Sequence, residues 1–91
     1  MSVTLHLPTV LSRLADGNRK LEVEGQTVGE VIREAATQFP QLAPRLRDEQ
    51  GQPYAYVTFY LNDDDIRLRD GFDTTVEPGD ELTVVPAIAG G

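Results

Sequence analysis

The last eight residues, VVPAIAGG, are the part of this sequence whose residue types most suggest chemistry. Pro86 fixes its own backbone φ and offers no N–H, so it should end strand pairing and direct the following residues outward. Beyond it every side chain is small except Ile88, and Gly90 and Gly91 have no β-carbon, so their backbone is thin and conformationally free. Such an end fits either a frayed terminus or a tail that enters the active site of another protein.

The composition is that of one small acidic domain. The chain has 91 residues, of which 40% are hydrophobic and 25% charged, and these values favour an ordered domain. Its net charge of −7 disfavours nucleic acid and anionic membranes and favours a partner with a basic docking surface. The absence of cysteine excludes disulfides, thiolate zinc sites and cysteine nucleophiles. The N-terminal residues predict neither a signal peptide nor a membrane span, so we expect a cytoplasmic protein. The acidity fits equally well with a protein that it simply keeps soluble and monomeric.

The first half of the chain predicts two strands followed by a helix. Residues 3–7 and 20–25 alternate apolar and polar side chains, which is the period of half-buried strands, here joined as a hairpin with a long connection. Thr27 and Glu30 have the spacing of a capping box, and apolar residues then recur at helical spacing. Pro40 ends this helix, because the residue before a proline disfavours the helical conformation.

The second half of the chain predicts the rest of a mixed sheet. The segment YAYVTFYLN is rich in aromatic and β-branched residues and predicts a strand with Val57, Phe59 and Leu61 on one face. A helix that follows a hairpin and covers one sheet face gives an α+β fold and leaves the other face bare. The other predicted elements are a helical turn with Leu42 and Leu46, a turn at 62–65, a short strand at 66–69, a loop anchored by Phe72 and Val76, and a last strand at 81–86.

Three stretches of the chain resemble the ubiquitin-like sulfur carrier family (ThiS/MoaD-like). They are VTLHLPTVL at the start, YLNDDDIRL after the main aromatic strand, and VVPAIAGG at the end. The resemblance covers the whole chain, and its first and last stretches are most similar to the carrier of cysteine biosynthesis. It implies a β-grasp fold of about five strands with one main helix on one face, formed by residues 1–86, and a flexible tail of residues 87–91.

The resemblance also implies that the carboxylate of Gly91 is the reactive group. An E1-like activating enzyme would use ATP to adenylate it, and a sulfur donor would displace AMP to leave a thiocarboxylate. Gly90 and Gly91 would pass through a narrow channel, Ala87 and Ala89 would keep the approach slim, and Ile88 would occupy a tail pocket. The protein would be a co-substrate rather than an enzyme and would bind no cofactor or metal. Its partners would be the activating enzyme, a sulfur-accepting biosynthetic enzyme and, as a further candidate, a tail-cleaving metalloprotease.

The bare face of the sheet is the predicted docking surface. In a β-grasp sheet the first and last strands are adjacent and the main aromatic strand flanks the last, and related modifiers dock through the uncovered face. Tyr60 and Val85 are the predicted apolar anchors, and His6 is predicted to be a surface contact rather than a base. The alternative is an ordinary solvated sheet face. Alternation places six residues on the bare face, namely Thr4, His6, Thr58, Tyr60, Thr83 and Val85.

Three other functions stay open on the sequence alone. A ubiquitin-type protein modifier would begin with the same tail chemistry, a molybdopterin synthase small subunit would keep its tail in a larger subunit, and an unrelated β-grasp module would have an inert tail. The sulfur acceptor also stays open between cysteine synthesis and other sulfur metabolites. The acidic residues at 62–65 favour a solvated turn over a calcium loop, since Arg67 and Leu68 lie where that loop needs an oxygen ligand and a glycine.

Overall fold

A five-stranded mixed sheet forms the centre of the molecule. The computed structural model describes residues 2–86, so the predicted tail of residues 87–91 lies outside the described residues. The strands are β1 (Val3–His6), β2 (Lys20–Val23), β3 (Val57–Leu61), β4 (Asp64–Asp65) and β5 (Glu81–Pro86). They lie in the order β2-β1-β5-β3-β4. β1 runs parallel to β5, and the other neighbouring pairs are antiparallel. The first and last strands are therefore adjacent, as predicted.

One main helix covers one face of this sheet. The helices are α1 (Thr9–Ser12), α2 (Val28–Gln38) and α3 (Ala43–Leu46), and 3-10 turns lie at Arg13–Ala15, Pro40–Leu42, Ile66–Leu68 and Gly71–Asp73. α2 has 11 residues and ends before Pro40, with Phe39 already outside the helical conformation at φ −131° and ψ 85°. Leu42 and Leu46 are fully buried in the helical turn that follows, which confirms the prediction for that segment.

The start of α2 is fixed by its capping residues. Oγ1 of Thr27 accepts a hydrogen bond of 3.2 Å from the backbone N–H of Glu30, as predicted. The Glu30 carboxylate accepts from the N–H of Gln26 at 3.0 Å, whereas a standard capping box would use the N–H of Thr27. Thr27 itself pairs with Thr75 in an isolated bridge, so the loop before β5 holds the backbone at the cap.

The structure departs from the sequence predictions in two connections. Residues 9–15, expected as an irregular connection, form α1 and a 3-10 turn that bury Leu11. Residues 66–69, predicted as a strand, instead begin with a 3-10 turn. The Asp65 carboxylate accepts the backbone N–H of Arg67 at 2.9 Å and caps this turn. The strand at this edge of the sheet is consequently limited to the two residues of β4, immediately before the predicted position.

The hydrophobic core lies between α2 and the covered face of the sheet. Phe59 is 1% exposed, and its ring meets that of Phe72 edge to face with 5.4 Å between centroids. Phe72 is partly buried against the core and Val76 is buried, so both predicted loop anchors are confirmed. Five strands in this order, with one main helix on one face, form the β-grasp fold that the sequence resemblance implies.

Candidate functional site

The predicted tail begins where β5 ends. Pro86 is the last residue of β5 and lies opposite Val57 of β3, while Val85 lies opposite Thr58. We call Val57, Thr58, Val85 and Pro86 the tail root. Pairing thus continues to Pro86 itself, and the outward direction predicted for the residues after it stays a prediction. The predicted tail residues Ala87, Ile88, Ala89, Gly90 and Gly91 lie outside the described part of the chain.

The structure brings the predicted residues of the bare face together. Cross-strand pairing places Tyr60 beside Thr83 and Thr83 beside His6, in one row across three strands. The residues that alternate with them, such as Leu82 and Phe59, are buried on the helix side. The predicted residues therefore share the bare face, as strand alternation predicts, and Glu81, which was not predicted, lies there with them. The use of this face as a docking surface stays a prediction.

Exposure on this face differs from what the sequence suggests. Val85 is 42% exposed, but Tyr60 is only half-buried and is not among the most exposed apolar residues. Tyr56 is 66% exposed, and its ring lies edge to face with that of Tyr54 at 5.4 Å. Tyr56 precedes β3 because the N–H of Val57 donates to the carbonyl of Tyr54 in a turn. The sequence prediction placed Tyr56 inside the aromatic strand. Its position before the strand, where its ring is exposed, was therefore not predicted.

His6 is held by a carboxylate. Its Nε2 lies 2.7 Å from Oε1 of Glu81, and the two side chains are 25% and 61% exposed. An open cleft of about 480 Å³ lies over this pair and is also lined by Asn62, Asp63 and Thr83. The contact orients the imidazole on the bare face, and this arrangement suits the predicted role of His6 as a surface contact.

Both carboxylates of β4 are paired with arginines. Asp65 Oδ2 lies 2.6 Å from Nη2 of Arg67, and Asp64 Oδ2 lies 2.9 Å from Nη1 of Arg69. The hydrogen bonds from Arg67 hold the pKa of the Asp65 carboxyl below its usual value, and Asp65 raises the pKa of Arg67.

Within residues 2–86, no group of three or more histidine or carboxylate side chains is placed to hold a metal ion. In the same range, no helix is long and apolar enough to cross a membrane.

Two hydroxyl groups stabilise the charged form of Glu22 at the edge of the bare face. Its carboxylate accepts hydrogen bonds from Ser2 at 2.8 Å and from Thr4 at 2.9 Å. These two bonds hold the pKa of Glu22 below its usual value, and the bond from Ser2 has the larger effect. Because the folded-state pKa is lowered, this stabilisation is present above the unfolded-state pKa of about 4.3. It is lost as the pH falls through the lower folded-state value.

We expect Ser2→Ala to raise the pKa of Glu22, and the double variant with Thr4→Val to raise it further, because each substitution removes one hydroxyl donor. Carbon-13 NMR titration of the carboxyl groups measures both shifts. Asp65 serves as an internal control, since its pKa depends on Arg67. A Glu22 titration that is the same in all variants would show that other groups set this pKa.

Comparison with known proteins assigns the chain to a family. Residues 5–91 match the model of the ThiS family. The chain is 34% identical over 93 residues to the sulfur carrier protein CysO of Mycobacterium tuberculosis, with both chains fully covered. It is 35% identical over 65 residues to the small archaeal modifier protein 3 of Haloferax volcanii, covering 71% of this chain and 70% of that one. A chain in the crystal structure of the Amycolatopsis orientalis BexX/CysO complex matches with a TM-score of 0.92 and 34% identity, over 99% of this chain and 100% of that chain. The chain therefore belongs to the ThiS family, and it is similar along its whole length to a sulfur carrier protein.

Proposed function

We propose that this protein is a sulfur carrier whose C-terminal carboxylate, at Gly91, is converted to a thiocarboxylate. The similarity to the CysO sulfur carrier carries this proposal, since it extends over the full length of both chains. The family match also runs through the tail to residue 91. The protein then acts as a co-substrate that is charged, spent and recharged.

The chemistry requires activation of the carboxylate, because carboxylate oxygen is a poor leaving group. An ATP-dependent, E1-like enzyme joins a Gly91 oxygen to the α-phosphorus of ATP, and pyrophosphate leaves. A sulfur nucleophile supplied by a donor then attacks the acyl carbon, the bond to the adenylate oxygen breaks, and AMP departs. The resulting thiocarboxylate is a better nucleophile than the carboxylate and transfers sulfur to a biosynthetic enzyme, for cysteine or another sulfur metabolite.

The fold supports this role by fixing the start of the tail. β5 lies in the middle of the sheet, hydrogen-bonded to β1 on one side and to β3 on the other. Val85 and Pro86 still pair with β3, so the tail root is anchored in the sheet. Because the root is already ordered in the sheet, only the tail residues remain to be ordered when the acyl carbon enters a partner's active site.

The partners in this proposal dock on the bare face and accept the tail. They are the activating enzyme and a sulfur-accepting enzyme. A metalloprotease that trims the tail is a further candidate partner. We place all of these proteins in the cytoplasm. The structural relative from Amycolatopsis orientalis was solved in a complex with BexX, which supports docking by a carrier of this fold.

Protein modification is the second candidate function. It is favoured by the 35% identity to small archaeal modifier protein 3 over 71% of this chain. A modifier would use the same adenylate but pass its acyl group to a lysine of another protein. Accumulation of conjugates, rather than of a thiocarboxylate, would distinguish it.

Mass spectrometry tests the proposal directly. The protein, with its native C-terminus, is incubated with ATP, an activating enzyme from the same organism and sulfide, and is then measured intact and by fragmentation. We expect one oxygen at Gly91 to be replaced by sulfur, and no change when ATP is omitted. An unchanged Gly91, in a preparation where the same enzyme charges another carrier, would refute the proposal.

A further inference from the structure

The chain has a single side-chain amine. Lys20 is its only lysine, and apart from His6 its other basic residues are arginines. A guanidinium remains protonated in proteins, whereas a lysine amine can lose its proton and attack a carbonyl carbon. The chain has no cysteine, so no thiol competes for an acyl group. Lys20 is therefore the only side-chain amine that can form an amide with an activated carboxylate.

Lys20 lies at the edge of the sheet, on the bare face. It is the first residue of β2 and lies directly opposite His6 of β1. Directly opposite residues of an antiparallel pair project to the same face, with their Cβ atoms about 5 Å apart. Lys20 is exposed, and among residues 2–86 no strand pairs with the outer edge of β2. The amine is thus accessible to another protein molecule.

A proton acceptor lies beside Lys20. The imidazole of His6, its cross-strand neighbour, is held by the Glu81 carboxylate at 2.7 Å. After its two hydrogen bonds, the charges of His6 and Lys20 also help to lower the pKa of the Glu22 carboxyl, so both side chains lie close to this group. A nucleophile, a base that takes its proton and a carboxylate that orients the base form the arrangement that covalent catalysis uses.

We propose that Lys20 accepts the Gly91 acyl group of a second copy of this chain when no sulfur donor is present. This inference rests on the proposed function, because the acyl donor is the Gly91 adenylate. Nζ of Lys20 attacks the acyl carbon, the bond to the adenylate oxygen breaks, and AMP leaves. His6 takes the proton that the nitrogen releases. The product is a pair of chains joined by an isopeptide bond, which makes the chain itself an acceptor in the second candidate function.

The acceptor is a second copy because of where Lys20 lies. In the adenylated copy Lys20 is on the predicted docking face, so the activating enzyme covers it for as long as the adenylate exists. In a free copy the same residue is exposed. The flexible four-carbon stem of lysine carries the amine away from the sheet edge, toward the acyl carbon that the sulfur donor would otherwise attack.

A reaction without sulfide tests this inference. Wild-type protein, ATP and the activating enzyme are mixed with acceptor variants that all lack Gly91, so that the acceptors are poorly charged and are recognised by their lower mass. The acceptors carry either Lys20, Lys20→Arg, His6→Asn, or the pair Arg19→Lys and Lys20→Arg. The last is the matched control, since it moves the amine by one residue and keeps the composition and the net charge. Linked wild-type pairs are the internal reference in every mixture.

We expect a product with the summed mass of donor and acceptor less one water, with fragmentation locating the bond between Gly91 and Lys20. Lys20→Arg should give no such product, and the control with the displaced lysine at least about tenfold less. His6→Asn should lower the rate at saturating acceptor by at least about tenfold, without changing the acceptor concentration that gives half of it. Added sulfide should suppress the linked product, because the thiocarboxylate forms instead.

The outcomes separate this inference from the proposed function. No linked product, although pyrophosphate exchange shows that Gly91 is adenylated, would overturn the inference alone. Equal yields from Lys20 and from the displaced lysine would do the same, because any amine would then react, as would linkage at the N-terminal α-amino group. An unchanged rate in His6→Asn would overturn the role of His6 as proton acceptor. No exchange with wild-type protein, by an enzyme that activates another carrier, would overturn both the proposed function and the inference. Thermal melts of each acceptor exclude misfolding as the cause of a loss.

Discussion

Deletion of Gly91 lowers kcat/KM for thiocarboxylate formation by at least about 100-fold and leaves the free energy of unfolding unchanged. The deletion draws the terminal carboxylate back by about one residue, roughly 3.5 Å, and misplacement of reacting atoms by even about 1 Å can cost this much. Stability should not change because β5 ends at Pro86, before the deleted residue. Quantitative mass spectrometry of the charged product and urea denaturation measure the two effects.

Gly91→Ala is the control for the deletion. It keeps the length of the tail but adds a β-carbon where we propose a narrow channel. We therefore expect it to lower kcat/KM for thiocarboxylate formation measurably, but by less than the deletion does. If the deletion variant is charged as fast as the wild type by the same enzyme, the reacting carbon does not need the position of Gly91, and the proposed channel geometry is wrong.

Phe59→Ala lowers the free energy of unfolding by about 3–5 kcal/mol, because it leaves a large cavity in the core. Phe59 is 1% exposed, and its ring contacts Phe72. A domain of this size has roughly 5–14 kcal/mol of stability in total. The substitution should therefore remove a large share of the stability, and urea denaturation followed by circular dichroism would show the shift in midpoint.

Tyr60→Ala is the matched control for this substitution. Tyr60 is the next residue of β3 but lies half-buried on the bare face. Its truncation should therefore cost less than half as much as that of Phe59. Equal destabilisation by the two substitutions would contradict the assignment of covered and bare faces to this strand.

Hydrophobic periodicity was sufficient to predict the main elements of the fold. Leu5 and Leu82 alternate with polar neighbours, and both are fully buried on the covered face. Val28, Val31 and Ile32 recur at helical spacing and form the buried stripe of α2. These elements have one face against the core, so burial imposes a period that the sequence must follow.

Segments governed by local hydrogen bonds were predicted poorly. The IRLR segment alternates like a strand, yet the Asp65 carboxylate binds the N–H of Arg67 and starts a 3-10 turn. The aromatic strand begins later than predicted, because the turn at Tyr54 intervenes and leaves Tyr56 exposed. Residues 9–15 are too few to show a helical period, although they bury Leu11.

For the candidate site, too, the face on which a residue lies was easier to predict than its local environment. The six predicted residues of the bare face follow from alternation along β1, β3 and β5, but Glu81, which lies on the same face of β5 and contacts His6, was not among them. How exposed each residue is depends on neighbouring side chains and on where each strand starts, so the high exposure of Tyr56 and the lower exposure of Tyr60 could not be predicted. The use of Tyr60 and Val85 as docking anchors stays a prediction. The role of Gly91 rests on resemblance and similarity, and it stays a prediction.

The central position of β5 has a consequence for biosynthesis. Without β5 the sheet separates into the pair β1–β2 and the pair β3–β4, since β5 is the strand that joins them. A nascent chain therefore has no complete sheet until residues 82–86 are free to pair, and folding of the core waits for that moment. Chains that stop before β5 lack both the finished bare face and the residues that follow it, so an activating enzyme that needs both would not spend ATP on them.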